Sequence, residues 1–514
     1  MPKITIDGRE IEVEKNINII EAAKKLDIEI PHYCYHPALK IDGNCRMCLV
    51  EMKTPKGLVP TIACNTFPSD GMEIITNSEN VKNMRKSVME FLLHNHPIDC
   101  PICDQAGECK LQDYYMNYGK YNNRSIVEKV HKGKVLDIGE FVVLDQERCI
   151  LCSWCVRFCA DVTKTNELMI TNRGVHSQIE VFPSTKLENK YSANVVDICP
   201  VGALTNKDFR FKMRVWFMDT GKSICQGCSR GCNIIVDHKD SIVYRFRPKH
   251  NPEVNNYWMC DEGRMTYKNI NSENRLLNAS YENTSIEFDE AIDKFAEIIE
   301  ETKEKFGLES IASIASPYST LEDNFVLKTF MKKVIGSDKV YGLSLKPDGF
   351  EDEFLIKADK TPNKKSFEFL DINQNKEELL KQIENKKIKL LIIMNNDIIV
   401  DSLDEFKVDT IISLSTHKTK TIDVSKLSLP VSIYVEKYGS VINFNGQIQK
   451  LEKCFDSFEF EENPALSEWE VFVKLSKKLS KDLKYNDIED IWKDLSNNTS
   501  FYNISDYGLN LNNI

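Results

Sequence analysis

Sixteen of the chain's seventeen cysteines lie at or before Cys260, and four of them crowd into "CILCSWCVRFC", residues 149–159. Thiols grouped so tightly either pair as disulfides or hold metal. The start, "MPKITIDGREIEVEKN", has no basic stretch followed by an apolar one, so it does not read as a secretion signal. A cytosolic setting is therefore expected, where thiols stay reduced and grouped cysteines bind metal. No run approaches the ~18 apolar residues of a membrane span. A net charge of -11 argues against a nucleic-acid surface, which needs clustered Lys and Arg. At 514 residues the chain exceeds one ordinary core, and three or more domains are expected.

The pattern of apolar residues divides the chain. "KITI" at 3–6, the turn pair Asp7-Gly8 and "EIEV" at 10–13 predict a hairpin. Residues 18–26 have helical spacing, and "CLVEMK" at 48–53 reads as a strand, so a small sheet on one helix is expected. Val81, Met84, Val88, Phe91 and Leu92 predict a helix ended by Pro97. "IIVDHKDSIVYRFRP" reads as strands around a turn. After about residue 270 the helices "FDEAIDKFAEIIEETKEKFG" and "EDNFVLKTFMKKVIG" alternate with the strands "SIASIAS" and "KIKLLIIMN". That alternation predicts an α/β domain with a largely parallel sheet. The Asn-rich end, "SNNTSFYNISDYGLNLNNI", reads as a loose tail.

Four groups of candidate metal ligands follow one another. Cys34, Cys45, Cys48 and Cys64 resemble the plant-type ferredoxin arrangement for a 2Fe-2S cluster, with a longer first gap. "GNCRMC" adds a small residue that lets backbone N–H groups face sulfur. His32 and His36 invite a Rieske reading, which fails because no His accompanies Cys45 and Cys48; both read as ordinary hydrogen-bonding residues. His96, Cys100, Cys103 and Cys109 form H-x3-C-x2-C-x5-C, with His94 as competitor; a 4Fe-4S cluster or a zinc ion suits them. Imidazole in place of a thiolate removes one negative charge, which eases reduction.

Cys149, Cys152, Cys155 and Cys159 reproduce half of the bacterial two-cluster ferredoxin pattern, and Cys199-Pro200 fits the end of its second half. The remaining positions of that second half hold Asn189, Ser192 and Val195. Cys149, Cys152, Cys155 and Cys199 can thus make one 4Fe-4S site, while Cys159 is left as a buried free thiol. Cys225, Cys228, Cys232 and Cys260 form the fourth group; four-thiolate zinc is possible on spacing, and the company of the others favours 4Fe-4S.

Taken in order, "GNCRMCLVE", "HPIDCPICDQAGEC", "CILCSWCVRFC", "DICPVGALT" and "CQGCSRGC…MCDEGR" resemble the large iron-sulfur subunit family of respiratory complex I, the NADH-quinone oxidoreductase. The resemblance implies α+β iron-sulfur domains followed by a shortened α/β domain. It implies a β-grasp 2Fe-2S ferredoxin domain over 1–78 and a one-His/three-Cys 4Fe-4S segment over 79–119. A 4Fe-4S ferredoxin-like domain over 120–215 and a molybdopterin-oxidoreductase-type 4Fe-4S domain over 216–270 follow. Residues 271–514 are similar, more weakly, to a truncated and inactive molybdopterin-oxidoreductase domain. One 2Fe-2S and three 4Fe-4S clusters are implied, with no molybdopterin expected: no Cys lies between Cys260 and Cys454, Cys454 falls too late to bind molybdenum, and serine ligation is the alternative.

The same resemblance implies electron relay from an FMN-bearing, NADH-oxidising partner toward quinone-site subunits of the peripheral arm, coupled in the complex to proton translocation. The chain itself has no G-x-G-x-x-G after a strand, so NADH and flavin are expected to bind elsewhere. It would sit peripherally on the cytoplasmic side of the inner (plasma) membrane, held by the complex. Two other readings are the iron-sulfur subunit of a soluble formate dehydrogenase or hydrogenase, and a scaffold holding structural zinc.

Overall fold

Lys3–Ile6 and Arg9–Glu12 pair antiparallel around Asp7 and Gly8, both at positive φ, as the two-residue hairpin requires. In this computed structural model the described residues are all but 123, 345, 399–406, 457–464, 496–500, 502, 503 and 512–514. They divide into two compact units, 1–217 and 218–514.

In the first unit the hairpin joins Glu73–Ile75, Leu49–Thr54 and Gly57–Ile62 in a five-stranded sheet. Its apolar face, with Ile4, Ile6, Val50 and Ile74, packs on Ile19, Ile20, Ala22 and Ala23 of helix Ile19–Lys24. That is the β-grasp arrangement. The loop between helix and sheet carries Cys34, Cys45 and Cys48, so a rigid platform holds an irregular segment. Helix Glu79–Asn95 starts at Ser78, whose Oγ accepts from Val81 N at 3.1 Å, and stops before Pro97 as its sequence predicts. Further on, Leu136–Asp137, Val142–Leu144 and Leu204–Asn206 form a three-stranded sheet, with a separate hairpin of Leu168–Thr171 and Gln178–Val181.

The second unit begins with an antiparallel sheet of Asp219–Ile224, Asn233–Lys239 and Ile242–Pro248. A seven-stranded sheet follows. Its order is Thr284–Ile286, Ala279–Tyr281, Leu427–Pro430, Thr410–Ser415, Leu390–Met394, Ile311–Ala315 and Val340–Gly342. The last five run parallel, which agrees with the predicted α/β alternation. Helix Phe288–Phe306 buries Ala291, Ile292, Phe295, Ile298, Ile299 and Thr302, one face at 3.6 periodicity. Gly307, at φ 81°, ends it. The predicted helix over 322–336 is α-helical through Leu321–Thr329 and widens to a π-turn over Phe330–Ile335.

The Asn-rich end differs from its sequence reading. Residues 496–500, 502, 503 and 512–514 lie outside the described residues, but Phe501 is fully buried in the α/β core. Leu509–Asn510 pairs with Gln447 and Ile448. A few apolar anchors among the asparagines outweigh the polar composition.

At the centre of this unit Lys437 is buried between two buried carboxylates, 2.9 Å from Asp323 Oδ2 and in close contact with Glu468 Oε2. Asp323 also accepts from Thr320 N and Trp469 N, and Glu468 from Ser319 Oγ. Removing one partner strands buried charge. Lys437→Met is expected to destabilise the second unit by about 3–5 kcal/mol at neutral pH. The deficit should shrink as pH falls from neutral, because burial already raises Glu468 to about 7 and its protonation removes stranded charge; denaturant midpoints at several pH values measure it.

Candidate metal centres

The fourth group sits at one end of the antiparallel sheet of the second unit. Cys225 follows its first strand, Cys232 precedes its second, and Cys225 N donates to Cys232 O at 2.8 Å, closing the loop. Cys260 caps helix Asp261–Met265, its Sγ accepting from Gly263 N at 3.2 Å, while Gly227 N points at Cys225 Sγ at 3.4 Å. All four cysteines line one hollow with Leu355, Ile356, Lys360 and Glu262. Gly263 makes a close approach there: a Cβ would stand 3.0 Å from Cys225 Sγ and 3.2 Å from Cys260 Sγ.

Cys149, Cys152, Cys155 and Cys199 line a second hollow, walled by Leu144, Trp154, Ile179, Val195 and Leu204. Leu151 and Ser153, between the first three cysteines, take left-handed φ of 53° and 63°. Those kinks coil the loop so that Leu151 N reaches Cys149 Sγ at 3.4 Å. The two hollows are alike in extent, about 360 and 370 Å³ counting the part open to solvent. Cys159, in contrast, is absent from the lining and fully buried in the π-turn Phe158–Val162.

In the first group the Cys34 thiol interacts with Cys45 and Cys64, and Cys48 with Cys64. Those neighbours hold the Cys34 and Cys48 thiols below their ordinary value. His32 Nδ1 hydrogen-bonds with Ile30 O at 2.8 Å, and His36 Nδ1 accepts from Ala38 N at 3.1 Å. Burial lowers both imidazoles to about 4.

The second group occupies a single segment. His96 ends helix Glu79–Asn95, Cys100 starts the turn Cys100–Ile102, and Cys109 precedes helix Lys110–Tyr118. His96 Nδ1 is buried with no hydrogen-bond partner, the state of an imidazole nitrogen kept for a ligand role. The charges that most influence His96 are Asp99, Lys129, Arg148 and Lys134. Arg214 clamps the loop through the carbonyls of Cys103 and Pro101, at 2.7 and 2.5 Å.

Burial drives six of the other thiols upward: Cys109 and Cys199 to about 11, Cys260 to about 12, and Cys152, Cys155 and Cys232 well above their ordinary value. A bound cationic centre reverses that effect, since a coordinated thiol is deprotonated. Among the described residues, no three His, Cys, Asp or Glu side chains gather at single-ion spacing. The thiols of the third and fourth groups surround hollows, which fits an inorganic cluster placed between them.

Residues 2–79 match the 2Fe-2S iron-sulfur cluster binding domain, and 85–124 the NADH-ubiquinone oxidoreductase-G iron-sulfur binding region. Residues 139–205 match the ferredoxin-like domain of NADH-quinone oxidoreductase subunit 3, and 218–272 the molybdopterin oxidoreductase Fe4S4 domain. Residues 363–478 match the molybdopterin oxidoreductase family. The chain is 40% identical over 345 residues to an NADH-quinone oxidoreductase subunit of Rickettsia bellii, a match covering 65% of this chain and 48% of that protein. The chain is a homologue of that NADH-quinone oxidoreductase subunit.

Two further relatives agree. The NADH-ubiquinone oxidoreductase 75 kDa subunit of Reclinomonas americana is 36% identical over 370 residues, 70% of this chain and 52% of that protein. The mitochondrial NADH dehydrogenase [ubiquinone] iron-sulfur protein 1 of Solanum tuberosum is 35% identical over 350 residues, 66% of this chain and 45% of that protein. The chain therefore spans about half the length of the curated relatives it matches. Each cysteine group falls inside one matched iron-sulfur domain.

Several residues of these sites escaped the sequence reading. Leu355, Ile356 and Lys360 wall the fourth hollow from nearly a hundred positions downstream, with no local signal. Gly202, three residues after Cys199, packs on the second group: a Cβ there would lie 2.2 Å from Cys103 Sγ. Its place in "CPVG" was a usable hint. Gly202→Ala is expected to displace Cys103 and lower both iron content and melting temperature. Wild-type values for both would contradict this packing.

Proposed function

We propose that the chain is an electron-relay subunit of an NADH-quinone oxidoreductase. One 2Fe-2S cluster is held by Cys34, Cys45, Cys48 and Cys64. Three 4Fe-4S clusters are held by His96/Cys100/Cys103/Cys109, by Cys149/Cys152/Cys155/Cys199 and by Cys225/Cys228/Cys232/Cys260. When bound, such clusters supply one-electron carriers whose geometry barely changes on reduction. The observation that carries the reading is the lining of two separate buried hollows by two complete cysteine quartets.

The chain's own residues then have definite tasks. Backbone N–H groups of Leu151, Gly227 and Gly263 stabilise negative sulfur. The apolar walls exclude water, and buried thiolates bind the iron. Electrons would arrive from a flavoprotein that oxidises NADH and leave toward quinone-site subunits of the peripheral arm. The assembly would lie on the cytoplasmic face of the inner membrane. Among the described residues no helix is long and apolar enough to cross a membrane, so attachment through partner subunits accords with the chain. The α/β domain of the second unit would act as scaffold without molybdopterin. Cys454, the cysteine outside the four groups and Cys159, packs against Gly221, where a Cβ would meet its Sγ at 2.3 Å.

Iron analysis should give about 14 iron atoms per chain, with 2Fe-2S and 4Fe-4S signals in EPR of the reduced protein. Cys152→Ala is expected to remove one 4Fe-4S signal and Cys159→Ala none. Stoichiometric zinc with little iron would end the cluster reading. Affinity capture from membranes tests the complex: recovery of membrane subunits supports it, whereas a soluble hydrogenase or formate dehydrogenase module recovered instead would overturn it.

A further inference from the structure

The loops of the first and third groups meet at one side chain. Arg157 lies two residues after Cys155, and its Nη2 donates to the carbonyl of Cys34 at 2.6 Å and of Cys152 at 3.1 Å. Its Nε donates to Ser153 Oγ at 3.0 Å, and Nη1 to the carbonyl of Lys40. Around it Asn44 Nδ2 donates to Leu151 O at 3.1 Å, Ser153 Oγ to Asp42, and His36 stands edge-on to Trp154. Among the described residues no carboxylate pairs with Arg157; Asp161, one helical turn on, is paired with Lys40 at 2.8 Å. A permanent positive charge is thus spent on carbonyl oxygens of one residue from each thiol group.

We propose that Arg157 is a positioning residue shared by the first and third groups, fixing their separation and raising the reduction potential of both. The proposal rests on the electron-relay reading above. A guanidinium stays charged at any working pH and presents its donors in a rigid fork, so it can hold two loops in one register. Adding an electron to either centre adds negative charge beside that cation, and local charge and hydrogen bonding set such potentials. The electron lost by one group is the electron gained by the other, with no bond made or broken and no proton moved. Position and potential are therefore the two quantities through which this residue can act.

The test is a redox titration, followed by EPR, of the protein purified with its partners and clusters. Arg157→Gln is expected to lower both the 2Fe-2S potential and that of the Cys149/Cys152/Cys155/Cys199 centre. The change should be severalfold to about tenfold in each reduction equilibrium, the latter being about 59 mV for one electron. The Cys225-group potential should not move. Arg157→Lys keeps the charge and should shift both potentials by less than Arg157→Gln. Asn44→Ala, which removes a neutral bond across the same junction, should leave both in place. If Arg157→Gln does not accumulate, Arg157→Lys decides: a downward shift in both potentials supports the proposal, and a shift in one alone or in neither overturns it. Unchanged potentials in Arg157→Gln, a shift confined to one group, or an equal shift in Asn44→Ala also overturn it. Absence of cluster signals from the wild-type protein would instead refute the relay reading itself.

Discussion

A thiolate moved into protein loses its hydration, and several placed side by side also repel one another. The two lined hollows present that problem in full, each with four buried or half-buried cysteines and, among its lining residues, at most one cation, Lys360, itself 3.2 Å from Glu262. Without a bound centre the answer is protonation, and burial accordingly pushes Cys152 and Cys232 well above the ordinary thiol value. With one, the iron supplies the missing positive charge. The energetics of both loops are therefore tied to what they hold, and small loop-rich segments gain folding energy from such binding.

Regular structure does the opposite work, fixing where the loops begin and end. The five-stranded sheet and helix Ile19–Lys24 anchor the loop of Cys34, Cys45 and Cys48. The antiparallel sheet of the second unit sets Cys225 and Cys232 at one end. Within the first unit the loops also bind each other: Lys110 N donates to Pro200 O at 3.1 Å, joining the residues after Cys109 and after Cys199. Arg157 joins the first and third. Groups that follow one another along the chain are thus knit through contacts that their order does not announce.

What the sequence made legible follows from locality. Cysteine spacing is a short-range signal, and the runs Cys149–Cys155 and Cys225–Cys232 were legible from it, while the structure brings the distant Cys199 and Cys260 to the same hollows. Helix Phe288–Phe306 and strand Leu390–Met394 were legible from periodicity and from an unbroken apolar run. The long-range features were not. Leu355 and Ile356 look like any apolar pair, and Arg157 like a helix surface residue, until the loops are folded together. Buried Lys437 was equally hidden, because charge in a sequence reads as surface until its partners Asp323 and Glu468 arrive from distant segments. The Asn-rich end misled for the reverse reason: composition averaged over nineteen residues conceals the single anchor Phe501.

The α/β domain acquires a physical task from the fourth hollow. Segment 354–360 of that domain forms part of its wall, and Arg230 holds the segment by donating to the carbonyls of Phe354 and Leu355, at 2.8 and 3.1 Å. Ser229 N adds a bond to Asp359 O at 2.9 Å. Both donors lie between Cys228 and Cys232, so the cysteine loop and its cover are fastened at the same place. Take the domain away and one side of the quartet faces water, which would weaken every sulfur hydrogen bond and change the dielectric around the site. A domain similar to a pterin enzyme can therefore be retained for what it excludes.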